Sequence, residues 1–337
     1  MELGLHIANF TWPGGGPQLA SSLASVAKTA EDAGFANITV MDHLWQIGVV
    51  GPPESEMLEA YTTLGFLAAH TERVQLHTLV TAVSYRVPGL LAKAVTTLDV
   101  LSGGRAALGI GAAWNDEESV GLGLHFPPTA ERFERLEETV QICLQMWSTS
   151  EDPFDGTHYR LGRTLNSPAS ILQPRPRIII GGTGERKTLR LVAKYADACN
   201  IFGGPEAAHK LDVLRGHCEN EGRDYDSVEK TTTIGADVSD GAAVFIDQLR
   251  GLHELGFTVA HVMIPGPEPI HAIELLGASV IPEIAGWKIG VFRAGGPRAK
   301  HSGSRKHSDQ TGRSRRARRA QFKQRSRSIT RLAGFAP

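Results

Sequence analysis

Short apolar runs rich in β-branched residues alternate along this chain with longer amphipathic stretches. Period-two or continuous apolar runs bounded by glycine or polar residues read as strands, and apolar positions recurring every three to four residues read as helices. The predicted strands are GLHIANF (4–10), NITVMD (37–42), VQLHTLVT (74–81), RAALGIG (105–111), RIIIGG (177–182), ACNIF (198–202), VEKTTTIG (228–235) and VAHVMIP (259–265). A helix is predicted after each, over 18–33, 57–71, 88–100, 129–147, 185–195, 205–221, 242–255 and 270–284. Gly34 is placed to end the first helix and Thr129 to cap the fourth. Alternating βα units build a parallel sheet, and eight of them at this length match an α/β fold of the closed (β/α)8 TIM-barrel type. The rival, an open doubly wound sheet, ordinarily carries G-x-G-x-x-G after its first strand, and TWPGGGP (11–17) lacks that spacing.

Two segments break the rhythm. Residues 148–176 are too long for an ordinary connection, and FDGTHYRL within them suggests a hairpin at Asp155–Gly156. An insertion there, midway through a barrel and before the fifth strand, can cap its mouth. The second break is the end of the chain. From Ile289 onward there are 14 Lys/Arg and a single acid, Asp309, against 21 Lys/Arg and 35 Asp/Glu in residues 1–288. The expected division is therefore an acidic barrel domain, 1–288, and a basic tail, 289–337, too poor in apolar residues to offset its ordering entropy and hence predicted disordered. A tail of this kind could bind phosphate backbones, which keeps a nucleic-acid-binding or interaction role in view; the acidic body itself is a poor nucleic-acid ligand. No apolar run is long enough to span a bilayer, and the N-terminus lacks the features of a signal peptide. Cys143, Cys199 and Cys218 have neither disulfide-framework nor metal-knuckle spacing, which suits a cytoplasmic protein, and no histidine pair has zinc spacing.

In a TIM barrel the chemistry sits at the C-terminal ends of the strands. Those ends carry Phe10 and Trp12; Asp42, His43 and Trp45; Thr81; Gly111, Trp114 and Asn115; and Gly181, Gly182, Thr183 and Gly184, followed by Arg186. The glycine turn opening a helix offers free amides, a positive dipole end and cations to a phosphate, although a plain tight turn accounts for the same residues. His43, at a strand end, is placed to exchange a proton with a substrate; a hydrogen-bonded rim histidine is the bland reading. Small residues around Gly111 let a flat ring approach the backbone, and Phe10, Trp12, Trp45 and Trp114 are candidate walls of an apolar substrate pocket. Ser84, Tyr85 and Arg86 are ambiguous, and His6 and His77, inside apolar strands, read as structural.

VMDHLWQ, TLVTAVSYRVPGLLAKAVTTLDVLSGGRAALGIGAAWNDEE, FPPTAERFERLEETVQI and IIIGGTGERKTLRLVAKYADACNIF, in that order, resemble the luciferase-like monooxygenase superfamily, and within it the coenzyme F420-dependent oxidoreductases. The resemblance covers nearly the whole barrel. It implies a deazaflavin ring across the strand ends, propped by a bulge with a non-prolyl cis peptide at Leu79–Val80. It also implies cofactor contacts from Asp42, Leu79, Val80, Thr81, Gly111 and Asn115, a phosphate grip at Gly181, Gly182, Thr183, Gly184 and Arg186, His43 as the proton donor or acceptor, and a homodimer. The implied activity is hydride transfer between coenzyme F420 and an unidentified small organic substrate, with an FMN-dependent monooxygenase as the alternative. One departure stands out: the sugar-phosphate dehydrogenase branch carries an acid where this chain has Ala112, which leaves His43 as the sole acid/base residue expected on the rim. The tail is a second departure, being foreign to the fold.

Overall fold

The computed structural model describes residues 1–236, 238 and 241–287, so the tail from Ile289 and its expected disorder lie outside the described residues. Eight βα units are present. The strands are β1 (Glu2–Ile7), β2 (Asn37–Val40), β3 (Gln75–Thr78), β4 (Thr81–Ala82), β5 (Ala107–Gly111), the insertion pair β6 (Phe154–Asp155) and β7 (Arg160–Leu161), then β8 (Arg177–Gly181), β9 (Ala198–Asn200), β10 (Glu229–Gly235) and β11 (Val259–Met263). All but β6 and β7 form one parallel sheet in the order β3-β2-β1-β11-β10-β9-β8-β5-β4. β3 and β4 are two halves of one barrel strand. Because Leu76 bridges Ala106 while β4 pairs with β5, the sheet closes on itself. The open-sheet rival is excluded.

The helices wrap this barrel: α1 (Gly15–Asp32), α2 (Ala60–Ala69), α3 (Pro88–Ser102), α4 (Asp116–Gly121), α5 (Thr129–Met146), α6 (Thr188–Tyr195), α7 (Ala207–Asn220), α8 (Ala242–Leu255), α9 (Ile270–Ser279) and α10 (Ile281–Ile284). Leu3, Leu5, Ile38, Leu76, Leu108, Ile110, Ile178 and Ile180 are buried in the main apolar cluster with helix residues such as Leu23, Leu64, Leu91, Val140 and Leu189. Their alternate neighbours on the strands fill the bore, which is largely polar. His6 is in register with Thr39 and hydrogen-bonds its hydroxyl at 2.8 Å; Thr39 is in register with His77, whose ring meets His261 edge-on at 5.5 Å. Arg177 and Glu229 pair at 2.7 Å, and Ala107, Ile179 and Ala198 form a small apolar layer of their own.

Gly34 ends α1 as expected, at φ 92°, with the Phe35 amide reaching back to the Ala30 carbonyl. Thr129 does not cap α5. It is the first helical residue, the cap position is Pro128, and no side chain caps that end. The insertion does form a hairpin, and it is fastened to the faces of α3 and α5. Glu138 of α5 accepts from the amides of Thr157, His158 and Tyr159, and Asp99 of α3 accepts from those of Ile171 and Leu172. Among the described residues no helix is long and apolar enough to cross a membrane.

Candidate active site

The residues between β3 and β4 set the geometry of the mouth. Leu79–Val80 is a cis peptide bond, as the resemblance implied, and both residues are half-buried. The Leu79 amide still donates to the Val40 carbonyl at 2.8 Å, so the bulge stays tied to β2. On its other side it enters space that glycines leave open. A Cβ at Gly109 would lie 1.9 Å from the Thr78 carbonyl oxygen, and one at Gly111 or Gly181 would lie 2.8 Å from a Val80 methyl. No side chain fits at these positions of β5 and β8 while the bulge is in place. Beneath it, the Thr81 hydroxyl hydrogen-bonds Thr78 at 2.7 Å and the Tyr61 hydroxyl at 2.8 Å.

Asp42 follows β2 and is buried. Its carboxylate accepts from the Ala82 amide at 3.0 Å and from both terminal nitrogens of Arg86 at 2.7 and 3.0 Å, and Arg86 also pairs with Glu59. Burial works against the charge on Arg86, but Asp42 and Glu59 outweigh it and hold the guanidinium charged. Both Asp42 oxygens are thus engaged within the protein. The residue expected to touch a cofactor pins the loop after β2 to the residues that follow the bulge, and Arg86, ambiguous in the sequence, is its partner.

His43 is one residue further along that loop. Its Nδ1 lies 2.5 Å from Oε1 of Glu118 in α4, and its ring meets Trp114 edge-on at 5.5 Å. Glu118 is 0% exposed and is satisfied on several sides. Its Oε2 accepts from the Leu44 amide at 2.6 Å and the Trp45 amide at 3.1 Å, and the Tyr85 hydroxyl hydrogen-bonds the same carboxylate. Burial alone would raise its pKa; the hydrogen bonds from His43, Tyr85 and Leu44 overcome that and bring it down to about 2. The sequence reading missed this partner of His43, a buried acid on α4, six positions beyond Ala112. The sequence hid it in NDEE, a run that reads as a solvated turn. α4 itself was not predicted, since six residues carry no usable period.

The aromatic candidates divide. Trp114 is 49% exposed at the rim. Trp45 lies against α4 where Gly121 leaves room, a Cβ there falling 2.2 Å from its ring. Phe10 and Trp12 are buried, with ring centroids 6.1 Å apart, and Trp12 lines a cavity at the end of β1 together with Asn9 and Ile264. Asn115 precedes α4 without capping it. After β8 the Gly182 amide donates to the Asn200 carbonyl at 3.0 Å, and Gly182 has φ 127°. Gly184 is pressed against Thr188, where a Cβ would come within 2.8 Å of the hydroxyl. The helix begins at Thr188, leaving Thr183 half-buried and Gly184, Arg186 and Lys187 exposed. Among the described residues no group of three or more His, Cys, Asp or Glu is arranged to hold a metal ion.

A closed (β/α)8 barrel with a cis bulge in its third strand, an acid-held histidine after its second and a glycine turn after its fifth defines the class of protein. The comparisons give the family. The luciferase-like monooxygenase profile matches residues 1–329, and the chain belongs to that family. It is 32% identical over 250 residues to an F420-dependent glucose-6-phosphate dehydrogenase of Kineococcus radiotolerans, covering 70% of this chain and 69% of that one. A second such dehydrogenase, from Nakamurella multipartita, is 34% identical over 218 residues, 62% of this chain and 61% of the relative. Matches to the curated relatives thus span roughly two thirds of their length or less. Among solved structures, an F420-dependent secondary alcohol dehydrogenase in complex with an F420-acetone adduct superposes with a TM-score of 0.70 at 15% identity, covering 83% of this chain and 98% of the other, a likeness of fold.

Proposed function

We propose that this protein is an oxidoreductase that transfers a hydride between coenzyme F420 and a small organic substrate. The observation that carries the reading is the Val80 bulge seated on Gly111 and Gly181 and tied, through Asp42 and Ala82, to the loop that bears His43. The residues fit such a cofactor. The bulge and the side-chain-free ends of β5 and β8 leave backbone open to a flat ring, and the turn 182–184 with exposed Arg186 and Lys187 suits a phosphate. Leu79, Val80, Thr81, Gly111 and Asn115 would hold the ring side, and Gly181 to Gly184 with Arg186 the phosphate. When bound, the deazaflavin supplies hydride chemistry that FMN shares with oxygen activation. His43 then exchanges with the substrate the proton that accompanies the hydride, and Trp114 shields the imidazole on its edge.

F420-dependent relatives support this cofactor over FMN. Ala112 stands in place of the acid of the sugar-phosphate enzymes, so a sugar phosphate is not the proposed substrate. The catalytic unit is the barrel, residues 1–288, working as a cytoplasmic homodimer; the three buried free thiols suit a reducing compartment, and the basic tail is dispensable. Titration of the purified protein with F420 and with FMN, followed by absorbance and fluorescence, tests the reading. Saturable F420 binding that excess FMN does not displace is the expected result; tight FMN binding with no response to F420 would overturn it. Once a substrate is found, His43→Ala should lower turnover about 10²- to 10⁴-fold with cofactor affinity retained.

A further inference from the structure

We infer that Glu118 is the positioning residue for His43: a buried carboxylate that fixes the Nδ1–H tautomer of the imidazole and thereby presents Nε2 for proton exchange. The inference rests on the proposed function only for the use made of that proton. The tautomer follows from the geometry alone.

An ionised carboxylate accepts hydrogen bonds and cannot donate them. Glu118 is surrounded by donors. The Leu44 and Trp45 amides come from the loop after β2, the Tyr85 hydroxyl from the loop after β4, and the fourth neighbour is Nδ1 of His43. A neutral imidazole carries one N–H, and the nitrogen facing a carboxylate that already receives three donors must be the one that bears it. Nε2 is then the unprotonated nitrogen, able to accept a proton. When it does, the imidazolium forms beside a full negative charge in a buried setting, which stabilises it. In the direction of substrate oxidation, the substrate O–H or N–H would release its proton to Nε2 and Glu118 would balance the charge of the resulting imidazolium, while a bound deazaflavin would supply the acceptor for the hydride. Reduction runs the same transfers backwards.

Trp45 packed into the space at Gly121 and the two loop amides on Oε2 lock α4 to the histidine loop, so the carboxylate and the imidazole move as one unit.

The test is ¹⁵N NMR of the full chain labelled at histidine, at neutral pH and without cofactor or substrate, with the His43 signals identified by their loss in His43→Gln. The expected wild-type spectrum shows a protonated Nδ1 and an unprotonated Nε2. In Glu118→Gln the His43 ring should shift toward the Nε2–H form that free histidine prefers, and Glu118→Asp should retain more of the wild-type state. Wild-type His43 in the Nε2–H form would overturn the assignment, and so would a Glu118→Gln spectrum unchanged at His43 in a protein whose near-UV circular dichroism is native. Should Glu118→Gln not fold, the wild-type spectrum decides by itself. Failure of F420 to bind leaves the NMR result standing, so the two readings fall separately.

Discussion

Single residues at the mouth act through charges that burial makes expensive to leave alone. Asp42 is held by Arg86 on both oxygens, and removing one member of a buried pair strands the other. Arg86→Met is expected to destabilise the fold by about 3–5 kcal/mol, whereas the double variant Asp42→Asn with Arg86→Met should recover much of the loss. Urea unfolding of the three proteins checks this; equal stabilities for the single and double variants would show that Asp42 finds other partners. At this scale the sequence was half-legible. DHLW marked a strand end with an acid and a histidine, and its position could be read from the hydrophobic run before it. What each side chain touches could not, because Arg86 and Glu118 reach their partners across 44 and 75 residues of chain. Phe10 and Trp12 show the same limit: how deeply a strand-end aromatic is buried depends on helices that pack from elsewhere.

Strands and helices were readable wherever the period ran for several turns, and boundaries failed where a local chemical feature overrode it. The predicted helix 270–284 is broken at Val280, between α9 and α10, because Pro282 has no amide to continue the ladder. The predicted helix 185–195 starts at Thr188 because the glycine turn occupies the preceding residues. The bulge between β3 and β4 interrupts a run, VQLHTLVT, that looks uniform in sequence. Its trace lies in other strands, as glycines at 109, 111 and 181. Gly181→Ala, which sets a Cβ against the Val80 methyl groups, should cost about 1–3 kcal/mol through overpacking, and Val80→Ala in the same chain should relieve most of that cost. Gly109→Ala meets the Thr78 backbone oxygen instead and should be the worse tolerated of the two. Thermal unfolding of the single and double variants measures both, and strict additivity of Gly181→Ala with Val80→Ala would refute the seating.

For the molecule as a whole, the bore decides how stability varies with pH. Burial, with smaller contributions from His77 and His43, pushes His6 down to about 3, and burial likewise brings His77 down to about 4 and His261 well below its usual value. All three rings are neutral in the folded barrel at pH 5, while in the unfolded chain they are protonated below about pH 6.5. Acid therefore favours unfolding from about pH 6.5 downward, by up to about 1.4 kcal/mol per pH unit for each histidine, until the folded-state value is reached. Denaturation at pH 7, 6 and 5 should show this slope, and His77→Gln should remove about one proton from it; stability flat over that range would mean the rings are charged when folded. The three imidazoles also shape what lies under the mouth. At neutral pH these rings carry no charge, so they give an arriving molecule no preference for an anionic, cationic or neutral guest, and that choice is delegated to the surrounding loops. Exchange of those loops can retune which guests are admitted while the staves of the barrel stay as they are.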